Sequence, residues 1–91
     1  MSILIINYEL KTPFKDYAPF YAAIKSNATE WWHFMDNTWL VATSYSADQF
    51  AKLLYPHIVN TDHLLVMKVQ KEYQGWLPKE AWDWLNSKYF F

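Results

Sequence analysis

Residues 30–45 read EWWHFMDNTWLVATSY, two aromatic and β-branched runs, Glu30 to Met35 and Thr38 to Tyr45, that meet at Asp36-Asn37. Asp and Asn tolerate positive φ, so the pair suits a two-residue hairpin turn and the flanking runs predict antiparallel strands. Strand side chains alternate between faces, which puts Trp31, His33 and Met35 on one side and Trp32 and Phe34 on the other. Large rings on both sides leave neither face built for water.

On the N-terminal side, Ile3-Leu4-Ile5-Ile6 runs into Asn7 and Tyr8, a continuous apolar stretch that reads as a strand buried on both faces and therefore central. Between it and the hairpin, Tyr17, Phe20, Tyr21 and Ile24 recur at i, i+3, i+4 and i+7, one face of a helix. Pro19 falls in the first turn, where a missing N–H is tolerated, and Ser26, Asn27 and Thr29 end the segment.

Beyond the hairpin, Ser46-Ala47-Asp48-Gln49 matches a capping box and opens a second helix that carries Phe50, Leu53, Leu54 and Ile58. Pro56 is expected to end or kink it near Tyr55. His63 to Gln70 reads as a strand with Leu65, Met67 and Val69 on one face, and the polar end of its other face places it at a sheet edge. The only glycine, Gly75, precedes Pro78 at the start of a short terminal helix bearing Ala81, Trp82 and Leu85.

The order β-α-β-β-α-β, closed by right-handed crossovers, predicts an α+β fold: a ferredoxin-like four-stranded antiparallel sheet with two helices on one face, followed by a C-terminal helix. At 91 residues the chain is expected to be a single ferredoxin-like domain, 1–91. The remaining face of so aromatic a sheet needs a cover, from the third helix, a second subunit or a ligand. A homodimer is the simplest of these.

Composition narrows the function. A chain that is 53% hydrophobic and 21% aromatic is not disordered. The absence of cysteine removes disulfides, thiolate metal sites and thiol catalysis, and a single glycine excludes a glycine-rich phosphate loop. Net charge is −1, and all eight basic residues are Lys, so no guanidinium is present to grip phosphate or guanine. Nucleic-acid binding would have to rest on stacking or on a metal. No apolar run reaches the roughly 18 residues that span a bilayer, and the start lacks a basic leader and a cleavage site, so no membrane association and a cytoplasmic location are expected.

Several stretches together resemble a known family: Ile6-Asn7-Tyr8-Glu9-Leu10, Tyr21-Ala22-Ala23-Ile24-Lys25-Ser26, Trp31-Trp32-His33, Asn37-Thr38-Trp39-Leu40-Val41, Leu64-Leu65-Val66 and Gly75-Trp76-Leu77. They are similar to the SinR-like small bacterial and phage proteins, which lie near the ferredoxin-like CRISPR adaptation nucleases and virulence-associated protein D. The resemblance runs almost end to end. It implies a dimer through strand edges and a place in bacterial defence or phage counter-defence. In the adaptation nucleases a carboxylate just after the first strand holds Mg²⁺ at the two-fold axis, and Glu9 is the residue that matches it. The family pattern there is Tyr then Asp, whereas this chain has Tyr8 then Glu9, one methylene longer.

The candidate residues follow from both lines. Glu9, at the end of a strand, reads as a catalytic carboxylate and Mg²⁺ ligand, or as a solvated residue where the chain leaves the sheet. His33, beside two tryptophans, reads as a general acid or base, or as a histidine bonded to a backbone carbonyl. Trp31, Trp32, Phe34 and Trp39 form either a base-stacking platform or packing and interface anchors, with Tyr8 and Lys11 as neighbouring binding residues. The Asp62-His63 pair reads as a turn feature, because adjacent strand residues point to opposite faces. Two functions result. The first is a noncatalytic interaction protein that binds a partner protein or ligand through its aromatic sheet or edge. The second is a metal-dependent, nuclease-like protein that binds nucleic acid and uses Glu9.

Overall fold

The Asp36-Asn37 pair turns the chain as its sequence requires, joining strands β2 (Glu30–Met35) and β3 (Thr38–Thr43) in an antiparallel hairpin. The computed structural model describes residues 1–13 and 15–88. Around the hairpin lie β1 (Ser2–Glu9), α1 (Ala18–Ser26), α2 (Ala47–Leu54), β4 (His63–Lys68) and α3 (Lys79–Asn86). The four strands form one antiparallel sheet in the order β2-β3-β1-β4. The molecule is thus a small α+β domain, with β1 inside the sheet and β4 at its edge.

Two apolar layers hold the sheet between helices. On one face Leu4, Ile6 and Tyr8 of β1 and Trp39 and Val41 of β3 pack under Phe20 and Ile24 of α1 and Phe50 and Leu54 of α2. On the other, Ile3, Leu40, Ala42 and Trp32 meet Ala81 and Leu85 of α3. Each large side chain so buried contributes on the order of 1.5–3 kcal/mol. The cover expected for the second face is therefore supplied, in part, by α3.

Local chemistry explains the element ends. The Ser46 hydroxyl accepts from the Gln49 amide at 3.1 Å while the Gln49 side chain accepts from the Ser46 amide at 2.9 Å, so the capping box is complete. Pro56 lies in a single 3-10 turn, Tyr55–His57, that terminates α2. β3 stops at Thr43 rather than Tyr45. The Thr43 hydroxyl donates to the Asn27 carbonyl and accepts from the Tyr45 amide, which bends the chain toward the α2 cap. β4 likewise ends at Lys68, and Pro78 is the cap residue of α3 rather than its first helical residue.

One expectation about β2 is corrected. Trp32 pairs with Leu40 and Met35 with Thr38, so two residues, His33 and Phe34, oppose Trp39 alone. This bulge inserts one residue into the alternation, and Met35 moves to the face of Trp32, away from Trp31 and His33.

Candidate functional site

The exit of β1 and the hairpin turn share a cluster of side chains. Tyr8 is buried on the α1 face, where its hydroxyl accepts from Trp39 Nε1 at 2.9 Å and donates to the Asp36 carbonyl at 3.2 Å. Burial pushes the Tyr8 phenol up to about 12, against the Trp39 hydrogen bond, which favours the phenolate. Tyr8 is consequently a neutral structural donor at physiological pH.

His33 lies flat on Trp39, with ring centroids 4.1 Å apart and planes 14° apart, and its Nε2 is 3.1 Å from the same Asp36 carbonyl. A carbonyl only accepts, so Nε2 carries the proton and, in the neutral ring, Nδ1 holds the lone pair. The stack continues through Tyr21 to Tyr8, while Lys25 sits 5.0 Å above the Trp31 ring, which is itself tilted against Trp39. The backbone-bonded reading of His33 describes this geometry, although the ring is exposed rather than half-buried.

Glu9 is exposed, and its carboxylate is 4.0 Å from the Lys11 ammonium, an ion pair worth about 0–1 kcal/mol. Tyr8, Glu9, Lys11 and Asp36 border one polar depression of about 350 Å³. Mg²⁺ needs near-octahedral oxygen ligands, commonly one or two carboxylates plus water. Among the described residues no three His, Asp or Glu side chains gather around a common point. Glu9 and Asp36 are the carboxylates on this depression, and Glu9 is paired with the Lys11 ammonium, so a single chain fits the ion poorly; a second Glu9 across a dimer axis would have to complete the set.

The structure therefore brings together Tyr8, Glu9, Lys11, His33 and Trp39, and separates them from Trp32. The four rings read as a stacking platform do not share a face. Trp31 and Trp39 lie on the α1 side, with Trp39 buried, whereas Trp32 and Phe34 pack 5.3 Å apart on the α3 side. Trp31 is the one ring of the α1-side pair that is open to solvent.

On the α3 side the cover is incomplete. A cavity of about 370 Å³ lies between the sheet, the segment 69–77 and α3, with Trp32, Leu40, Val69, Trp76, Trp82 and Leu85 in its wall. Met35 and Thr38, also in its wall, form with Asn7 and Leu65 a register row across all four strands, and Met67 stands in the next row. Asn7 and Thr38 satisfy each other at 2.7 Å, so the row presents little free polarity. Met35, Leu65 and Met67 are about half exposed, and Trp76 is 99% exposed.

Sequence reasoning missed this cavity, because its wall comes partly from the irregular segment 69–77, which has no periodicity to read. The spacing of Ala81, Trp82 and Leu85 was the available signal. It also missed the role of the Asp36 main-chain carbonyl, which leaves no mark on side-chain chemistry. No family model, curated protein or solved structure matches the chain. Among the described residues no helix is long and apolar enough to cross a membrane.

Proposed function

We propose that the chain is a small noncatalytic interaction protein, ferredoxin-like in connectivity and cytoplasmic, whose contact surface is the open end of the α3-side sheet face and whose first partner is a second copy of itself. The observation that carries the reading is the apolar group left in water there: Trp76 at 99%, Leu65 at 56% and Met67 at 50% exposure on one face. Apolar groups concentrated on one face mark interaction sites, and a self-complementary patch is the simplest way to cover them. The β4 edge lies alongside, so main-chain pairing is compatible with the same contact.

The test is the oligomeric state. Sedimentation equilibrium is expected to give a dimer at micromolar concentration, and Leu65→Glu and Met67→Glu are expected to give monomers with unchanged melting temperature. A wild-type chain that stays monomeric at millimolar concentration overturns the proposal.

A second reading, the metal-assisted nuclease implied by the resemblance, is favoured by Glu9 and Asp36 bordering one depression. It requires that purified protein cut labelled RNA or DNA with Mg²⁺ and that Glu9→Ala abolish the cutting. Equal inactivity of both proteins removes it.

A further inference from the structure

The segment between β4 and α3 is pinned on both sides of Trp76 and holds that ring away from the fold. Before it, the Tyr73 hydroxyl donates to Asn86 Oδ1 at 3.2 Å, and the Tyr73 ring stacks on Trp82 with centroids 6.2 Å apart. After it, Leu77 packs against the α3-side core and Pro78 caps α3. Trp76 stands between these two anchors and is 99% exposed, and an added Cβ at Gly75 would meet nothing within 4 Å. A large ring presented from fixed neighbours gives up little chain freedom when it is covered, which is the condition for an interface anchor.

Beside this ring lies the α3-side cavity, whose packed wall is made by Leu40, Val69, Trp82 and Leu85. Trp76 borders the space and points into water instead of filling it. Among the described residues no Asp, Glu, Lys or His lines the cavity, so an uncharged apolar group enters it without stripping water from an ion. At about 370 Å³ it is within the range of pockets that enclose small molecules, and an indole ring is of that size.

Every copy of the chain therefore carries an exposed anchor and an empty apolar recess side by side on one face. In a two-fold interface, a contact from the first copy to the second is repeated from the second to the first, so neighbouring complementary parts on one surface satisfy each other in pairs. Two Trp76 rings and the walls they cover would remove on the order of 800 Å² from water, and the half-exposed Met35, Leu65 and Met67 of both copies bring the total past the roughly 1,000 Å² that a specific interface needs. A net charge of −1 on each copy opposes this approach only weakly.

We infer that Trp76 of each copy inserts into the α3-side cavity of the other, and that this reciprocal exchange holds the dimer together. The inference rests on the self-association reading and names the contact that carries it.

The experiment is sedimentation equilibrium of the full chain. Trp76→Ala is expected to weaken the dimer about a thousandfold, roughly thirtyfold for each of two truncated anchor rings. The melting temperature is expected to be unchanged at dilutions where wild type is monomeric, because the ring is already in water there. Val69→Glu leaves the anchor intact and places a carboxylate in the cavity wall, and it too is expected to be monomeric. Mixed together, the two variants are expected to form a heterodimer about thirtyfold weaker than wild type, since that pair alone retains one ring and one open cavity facing each other. Isotope-filtered NMR on a mixture of labelled and unlabelled wild-type chains is expected to show the Trp76 indole of one copy against the Leu40 and Leu85 methyl groups of the other, a readout independent of whether Val69→Glu folds. A wild-type dimer that Trp76→Ala leaves intact, or that lacks these contacts between copies, overturns the inference while self-association stands. A wild-type chain that stays monomeric at millimolar concentration overturns both.

Discussion

Asp62 holds three separate parts of the chain at one carboxylate. Its Oδ1 accepts from the Lys11 amide at 2.8 Å, its Oδ2 from the Val59 amide at 3.1 Å, and both oxygens lie 2.9 Å from the Tyr17 hydroxyl. The side chain is buried, 7% exposed, which by itself raises the pKa; the two amides, the Tyr17 hydroxyl and the Lys15 charge outweigh this and hold it below the ordinary carboxylate value. A carboxylate with a lowered folded pKa stabilises the fold above its unfolded pKa of about 3.9, and the stabilisation is lost as pH falls through the folded value. Asp62→Asn is expected to cost about 1–3 kcal/mol at neutral pH and progressively less in acid. Urea melts at neutral pH and near pH 2 measure the difference, and an equal loss at both would show that charge plays no part. The sequence allowed Asp62 to be read as a turn residue, which it is. The Val59 contact belongs to the turn itself, but the partners at 11 and 17 meet Asp62 only once β1, α1 and β4 have docked, so nothing local to Asp62 announces those two.

At the scale of elements, α2 and β2 differ in how far local pattern reaches. The beginning of α2 is decided within four residues: Ser46 and Gln49 exchange both capping hydrogen bonds, as their spacing requires. Ser46→Ala is expected to destabilise the protein by about 1 kcal/mol, read as a lower urea midpoint at unchanged slope, and an unchanged midpoint would mean that water caps the helix as well. β2 is decided by its partner instead. Period-two alternation assigns Trp31, Trp32 and His33 to their faces and fails at Met35, because a bulge lies opposite Trp39, where His33 stacks on the indole and bonds the Asp36 carbonyl. Those contacts join residues across the hairpin, and pairing register cannot be read from one strand. Glu9, Tyr8 and Lys11 were legible as a group for the opposite reason, since they are consecutive or nearly so at a strand end.

For the whole molecule, the two faces of the sheet are unequally supported. Under α1 and α2 the layer is filled, among the described residues, by nine buried side chains that include Phe20, Phe50 and Trp39. Under α3 there are six buried side chains among the described residues, of which Trp32, Leu40 and Leu85 border an open cavity, and α3 is tied down at its end by Lys88, whose ammonium is 2.6 Å from Glu30 and 4.7 Å from the Trp84 ring centre. Aromatic crowding on both faces of β2 announced that a second layer was needed, but not that eight helical residues would cover only part of it. Local opening follows the weaker packing. Native-state hydrogen exchange is therefore expected to show α3 amides exchanging through a sub-global opening well below the free energy that protects the amides of β1 and β3. Lys88→Ala is expected to lower α3 protection by about 1 kcal/mol while leaving the central strands' protection relative to global unfolding unchanged. Protection of α3 equal to that of β1 would mean that the sheet and both its covers open as one unit, and that the cavity does not weaken the α3 layer.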